Sequence, residues 1–397
     1  MTGVLAPALA RRSRAVRSGP IDDLFALTAG RQDLVSFAAG APDADALPVD
    51  LVLPATQRAL ARWGPAALQY GSTQGLLPLR EACLPVLAAR GIQVSTDEVH
   101  VATGAAGGLN NLGMALLDEG DTVVVERPTY GPAVKVFRSY GADVVDVACD
   151  HDGLIPEALD AMLSTRPVKA VYLLPTFQNP TGRTMSAQRR AAVADLLVRH
   201  GVLAIEDDVY SDLRFGGSPV DALWSHAPDQ VVYLTSLSKT LAPALRTGIM
   251  VVPPRLAEAV LALKQGIDMQ TSSFTQAVTT ELLRAPRLAA HVGATVDLYR
   301  RKRDALVNVL TAGLFGEFTW RVPDGGLFLW LQGPRAFDAD ALLPRALDAG
   351  VAYLPGSAFH VTPEDGRNTL RLSYASPALP DVERGAARLA ACLRQHA

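Results

Sequence analysis

The chain has 397 residues, a formal net charge of -3, a pI near 6.2, and 49% hydrophobic residues. A chain of that length exceeds one compact core and predicts two packed domains. Its charge balance offers no basic field for nucleic acid, and no segment reaches the roughly 18 uninterrupted apolar residues of a membrane helix, so neither partner is expected.

Residues 1–45 read as an arm, helical around 20–29 and turning at Gly40, Ala41, Pro42 and Asp43. Its apolar stretch at 4–10 precedes Arg11, Arg12, Arg14 and Arg17, the reverse of the order in a secretory signal. Together with only three cysteines, Cys83, Cys149 and Cys392, this predicts a cytoplasmic protein without a disulfide framework. The seven histidines are scattered, and no metal-ligand spacing occurs.

From 46 to 285, short β-branched runs at 99–103, 122–126, 143–147, 170–174, 202–206, 231–234 and 248–252 alternate with stretches of helical spacing. Alternation of that kind predicts a large domain with a mainly parallel sheet and helices on both faces. The strands are near-continuously apolar, as in a sheet buried on both sides. From 286 to 397 the character changes. An Arg-rich helical stretch through 298–310 precedes strand-like runs at 318–323, 326–331, 351–354 and 369–373, a smaller α+β domain with a mostly antiparallel sheet. The arm is expected to pack with it. In open α/β sheets, ligands bind at the carboxyl ends of the strands. The unusual segments sit there.

Ala102-Thr103-Gly104-Ala105-Ala106-Gly107-Gly108 carries a strand into a helix, where free backbone N–H groups and small residues suit a phosphate. A small-residue turn needed only for packing reads the same way. Tyr130 is a candidate to stack on an aromatic ring, although an isolated tyrosine is more often a core or surface residue. Asn179 lies between Pro175 and Pro180, which restrict the backbone and aim its amide. Alone, the Asn-Pro-Thr-Gly stretch is an ordinary turn.

Glu206-Asp207-Asp208 ends another apolar strand, with Tyr210 close behind. A carboxylate beneath a pyridine nitrogen keeps that ring protonated and electron-withdrawing; the alternative is an acidic helix start. Lys239 follows a further strand and is one of only five lysines against 32 arginines. Arginine cannot form a Schiff base, whereas an amine of tunable pKa can. Ser236, Ser238 and Arg246 around it suit a phosphate dianion, or the serines simply cap a turn.

In this order, the segments resemble the class I/II aminotransferases of pyridoxal phosphate (PLP) fold type I, the aspartate-aminotransferase-like α/β fold, over nearly the whole chain. The stretches ARRSRAVRSGPIDDLFALT, VSFAAGAPDADALP and LQYGSTQGLLPLRE are most similar to the 2-aminoadipate and kynurenine aminotransferase group. The resemblance implies pyridoxal 5'-phosphate held as a Schiff base on Lys239, which also shuttles the proton. It implies Asp207 at the pyridine nitrogen, Tyr210 and Asn179 at the ring oxygen, and Tyr130 stacked on the ring. Ser236, Ser238, Arg246 and the backbone at Gly104, Ala105 and Ala106 would bind the phosphate. Tyr70 would reach the cofactor of a second subunit, in a homodimer with shared active sites. Arg371 would clamp the substrate α-carboxylate, with Gly40 and Asn179 beside it.

Two departures stand out. Ala105 and Ala106 replace the polar residues usual after the phosphate-loop glycine. Asp22 stands where the related group often has an arginine, which implies a neutral or cationic substrate side chain; alternatively Asp22 is a solvated helix-start residue. The implied reaction is ping-pong transfer of an amino group from an L-amino acid to a 2-oxo acid. The same residues would also serve a lyase, cyclase or synthase acting on an amino acid. Related domains occur as the sensing halves of transcription regulators, but about 45 residues ahead of the large domain leave no room for a DNA reader.

Overall fold

The computed structural model describes residues 10, 12, 24, 26–28, 30, 31, 33–314, 316 and 318–395. Of the arm helix expected at 20–29, Leu24 and residues 26–28 are described, and they are helical. Strand β1 (Val35–Ser36) follows. The large sheet comprises β2 (Val99–Thr103), β3 (Thr122–Arg127), β4 (Asp143–Asp150), β5 (Gly153–Leu154), β6 (Ala170–Leu173), β7 (Leu203–Asp207), β8 (Val231–Ser236) and β9 (Thr247–Val251). Its spatial order is β2-β9-β8-β7-β6-β3-β4-β5. The pairs from β8 to β4 are parallel, and β9 runs against both of its neighbours.

Because successive side chains of a strand point to opposite faces, one apolar run feeds two cores. Val124, Val171, Leu173, Ala204 and Tyr233 pack beneath helices Leu77–Ala88, Pro156–Thr165 and Ala187–His200. Val123, Val125, Ile205, Val232 and Met250 pack beneath helices Gly104–Leu116, Gly131–Ser139 and Pro254–Asp268. Each fully buried Val or Leu contributes roughly 1.5–3 kcal/mol, so both faces lock the strand register. No helix among the described residues is long and apolar enough to cross a membrane.

The smaller sheet contains β10 (Thr319–Trp320), β11 (Phe328–Gln332), β13 (Leu354–Pro355) and β14 (Thr369–Ser373), all antiparallel, in the order β10-β11-β14-β13. Helices Leu288–Gly313 and Leu379–Arg394 cover it through Leu306, Leu310, Val382 and Leu389. The run at 351–354 reads as one strand but divides. β12 (Val351–Ala352) pairs in parallel with β1, while β13 joins the small sheet. Between them Tyr353 turns inward, and its hydroxyl donates to the Ala339 carbonyl at 2.7 Å. The expected strand at 318–323 is likewise short, because only Thr319 and Trp320 find partners on β11.

Candidate active site

The carboxyl ends of β2, β3, β6, β7 and β8, with the start of the reversed β9, surround one cavity of about 210 Å³. Ala105, Ala106, Tyr130, Asn179, Asp207, Tyr210, Ser236, Ser238, Lys239 and Arg246 all line it. Residues separated by up to 141 positions thus meet at one sheet edge, as strand polarity requires.

Only the middle residue of the acidic trio faces the cavity. Glu206 turns to the opposite face, accepts from the Leu223 and Trp224 N–H groups at 2.9 Å each, and lies 3.5 Å from Arg190. Asp208 accepts from the Tyr233 hydroxyl at 2.7 Å. Asp207 Oδ2 accepts from the Tyr172 hydroxyl at 2.7 Å, whereas Oδ1 is buried with no partner. Burial, against that hydrogen bond, pushes the Asp207 carboxyl up to about 7.

Lys239 Nζ donates to the Gly40 carbonyl at 2.8 Å. Burial, reinforced by the Arg371 and Arg246 cations, brings its amine down to about 8. Arg371 lies on β14, buried, with its guanidinium over the rings of Phe328 at 4.2 Å and Phe359 at 4.8 Å. It donates to Asn179 Oδ1 at 2.8 Å and to the Ala38 carbonyl, while Nε has no partner. Burial lowers its pKa to about 10. Tyr210 is buried edge-on against Phe328, ring centroids 5.6 Å apart.

At the other end of the cavity, Ser236 and Ser238 hydroxyls lie 2.8 Å apart, beside the first turn of helix Gly104–Leu116. Arg246, in the left-handed region at φ 49, donates to the Thr103 carbonyl at 3.2 Å. Gly104 has φ +74, and a Cβ there would strike the Arg246 guanidinium. The backbone angle therefore favours glycine there, and any side chain would also push the Arg246 guanidinium aside.

Tyr70 is not among the lining residues; it is 75% exposed on the surface of this chain. Asp22 lies outside the described residues. Sequence reasoning missed Tyr172 and the two phenylalanines around Arg371. The one available signal for Tyr172 was a hydroxyl inside a run buried on both faces, since a buried tyrosine needs a partner. Among the described residues, no group of three or more His, Cys, Asp or Glu side chains is placed to hold a metal ion.

The profile of the family described as aminotransferase class I and II matches residues 32–389. This chain belongs to the class I and II aminotransferases. This aminotransferase is 32% identical to aromatic-amino-acid aminotransferase 1 of Thermococcus litoralis, over 91% of this chain and 88% of the relative. The crystal structure of Pyrococcus horikoshii kynurenine aminotransferase in complex with PMP superposes with a TM-score of 0.92 at 31% identity, covering 98% of this chain and 97% of that one. An alpha-aminoadipate aminotransferase from Thermus thermophilus, complexed with N-(5'-phosphopyridoxyl)-L-leucine, gives a TM-score of 0.89 at 31% identity, with coverage of 98% and 97%.

The fold is PLP fold type I, and the cofactor of this aminotransferase is pyridoxal 5'-phosphate. The residues present fit that group. Asp207 Oδ1 is an unpaired buried acceptor of the kind a protonated ring nitrogen satisfies. Lys239 is an amine brought toward neutrality. Paired serines, a helix start and Arg246, whose guanidinium a Cβ at position 104 would displace, form a cradle for a dianion.

Proposed function

We propose that this aminotransferase accepts L-amino acids with neutral side chains as donors and passes the amino group to a 2-oxo acid by a ping-pong sequence. The observation that carries the side-chain preference is the charge of the cavity wall. Among the described residues lining it, the cations are Lys239 and Arg246, and the one carboxylate is Asp207. All three are committed to the cofactor in this reading. Leu109, Pro132, Val136, Leu174, Val209 and Pro243 add apolar wall, which supports a neutral donor side chain over a distal carboxylate or ammonium.

The bound cofactor supplies an electron-withdrawing ring that acidifies the donor Cα–H and carries the amino group between the two half-reactions. The protein does the rest. Lys239 Nζ captures the cofactor and then moves the proton at Cα, a role suited to an amine poised near neutrality. Asp207 Oδ1 holds the ring nitrogen protonated, and Tyr172 steadies the same carboxylate from below. Tyr210 and Asn179 hold the ring oxygen, and Tyr130 packs against the ring. Ser236, Ser238, Arg246 and the N–H groups at Gly104, Ala105 and Ala106 bind the phosphate. Arg371 takes the donor α-carboxylate as a planar fork, with the Gly40 backbone alongside. Fixing the carboxylate decides which Cα bond faces the ring.

Tyr70 belongs to the neighbouring subunit's site in this reading. Leu68, two positions away, is 71% exposed, and Val49, Leu53 and Met269 are also exposed, apolar side chains suited to cover by a second copy of the chain. In this reading residues 1–45 are the arm, and the large domain (46–285) and small domain (286–397) meet between helix Ser273–Leu283, packed in one core, and helix Leu288–Gly313, packed mainly in another. None of Cys83, Cys149 and Cys392 is in a disulfide, in keeping with the cytoplasmic setting of this reading.

The test is an absorbance titration of the loaded enzyme with single amino acids from each side-chain class. Leucine- or phenylalanine-type donors are expected to convert the cofactor band and release their oxo acids stoichiometrically. Preferential conversion by glutamate or lysine would overturn the side-chain assignment. For the shared site, mixing Tyr70→Ala with Lys239→Ala chains should restore activity that neither has alone.

A further inference from the structure

The arm segment after β1 has every carbonyl from residue 37 to residue 41 engaged, and the partners alternate. The Phe37 carbonyl accepts from Ser373 N–H at 2.7 Å. The Ala38 and Gly40 carbonyls accept from Arg371 and Lys239, two of the active-site cations. The Ala39 and Ala41 carbonyls both face the Ser376 hydroxyl at 2.9 Å, so one proton is shared between them. The segment's carbonyls thus face the active-site cations and residues 373–376 in turn.

A second anchor closes the segment two residues later. Asp43 N–H donates to the Tyr299 hydroxyl at 3.1 Å, and the Asp43 carboxylate pairs with Lys302. Lys302 is fully buried and spends its other two protons on the Ala375 carbonyl at 2.8 Å and the Pro377 carbonyl at 2.5 Å. Its three acceptors surround a single point. A tetrahedral ammonium meets that arrangement, whereas a planar guanidinium does not. This accounts for a lysine here, one of five in a chain with 32 arginines.

We propose that Ser376 and Lys302 are positioning residues that hold segment 38–41 as a fixed floor under Arg371 and Lys239, and so set the affinity for the substrate carboxylate. Neither lines the cavity. They act through the Ala38 carbonyl, which holds one arm of the Arg371 fork while Asn179 holds the other. A two-pronged contact is sensitive to rotation, so a floor free to shift lets the fork turn away from the carboxylate. The inference rests on the reading of Arg371 as the carboxylate clamp.

The test uses the cofactor-loaded enzyme and 3-phenylpropionate, a carboxylate without an amino group, with its dissociation constant measured by calorimetry. Ser376→Ala removes one neutral hydrogen bond and leaves all charges in place. It is expected to weaken the probe and raise the donor KM together by about five- to tenfold, with kcat within about twofold and the cofactor dissociation constant unchanged. Lys302→Met and Lys302→Arg should both do the same more severely, and Ser376→Ala carries the test if they fail to fold. A lower melting temperature with unchanged probe affinity and KM in Ser376→Ala would show a merely structural anchor and overturn the proposal. Arg371→Leu is the control: if it leaves probe binding intact, the clamp reading falls, and this inference falls with it.

Discussion

Tyr172 on β6 and Asp207 on the adjacent β7 form a 2.7 Å hydrogen bond on the buried side of the cavity, leaving the other oxygen of the carboxylate without a partner. A buried carboxylate satisfied on one side only is expensive to keep charged. It persists where a ligand completes it, and under the proposed function the ring nitrogen of the cofactor is that complement.

Tyr172→Phe is therefore expected to keep the fold and the cofactor but to weaken the ionised form of Asp207. A hydrogen bond to a charged group contributes about 1.5–3 kcal/mol, so kcat/KM should fall at least about tenfold. Asp207→Asn, which removes the charge itself, should cost roughly two orders of magnitude or more. Steady-state kinetics normalised to bound cofactor check both. Equal activity of Tyr172→Phe and wild type would show that Asp207 needs no support from below.

Lys239 sets a pH dependence for cofactor capture. The amine is brought down to about 8, first by burial and then by Arg371 and Arg246. Only the neutral amine attacks a carbonyl carbon, so in the cofactor-free chain the capture rate should rise with pH, with a midpoint near 8, and level off above it. Removing one of the repelling cations with Arg371→Leu should move the midpoint upward. Stopped-flow absorbance after mixing with pyridoxal phosphate reads the profile. A rate still climbing toward an ordinary lysine value would contradict the burial argument.

His100 on β2 predicts acid sensitivity away from the active site. It is buried, and both of its ring nitrogens lack partners. Burial, then the nearby Arg80 cation, lowers it from 6.5 to about 4. A base depressed in this way contributes its full share of stability above about 6.5 and loses it as pH falls toward 4. The loss amounts to about 2 kcal/mol by pH 5, at about 1.4 kcal/mol per pH unit. His100→Leu should narrow the gap between melting temperatures at pH 8 and pH 5. An unchanged gap would assign acid unfolding to other groups.

Much of the site was legible in the sequence because the chemistry dictates residue type as well as position. Under the proposed function only an amine serves where Lys239 stands, and the structure brings that lysine and the strand-ending Asp207 to one cavity. The strands were legible because burial on both faces leaves a run of apolar residues whatever its neighbours are. The acidic trio was not legible in the same way. Glu206, Asp207 and Asp208 are chemically equivalent on paper, and strand alternation sent two of them to Arg190 and Tyr233.

By itself the sequence determined where strands and helices alternate, that the sheet is buried on both sides, and which residue types wait at the strand ends. Tertiary structure decided which of them meet. Lys239 finds Gly40 across 199 positions, Arg371 finds Asn179 across 192, and Lys302 finds Asp43 across 259. Propensity and periodicity act over a few residues. Contacts at such range depend on how whole elements pack, and the same packing divided residues 351–354 between two sheets and placed Tyr172 beneath Asp207.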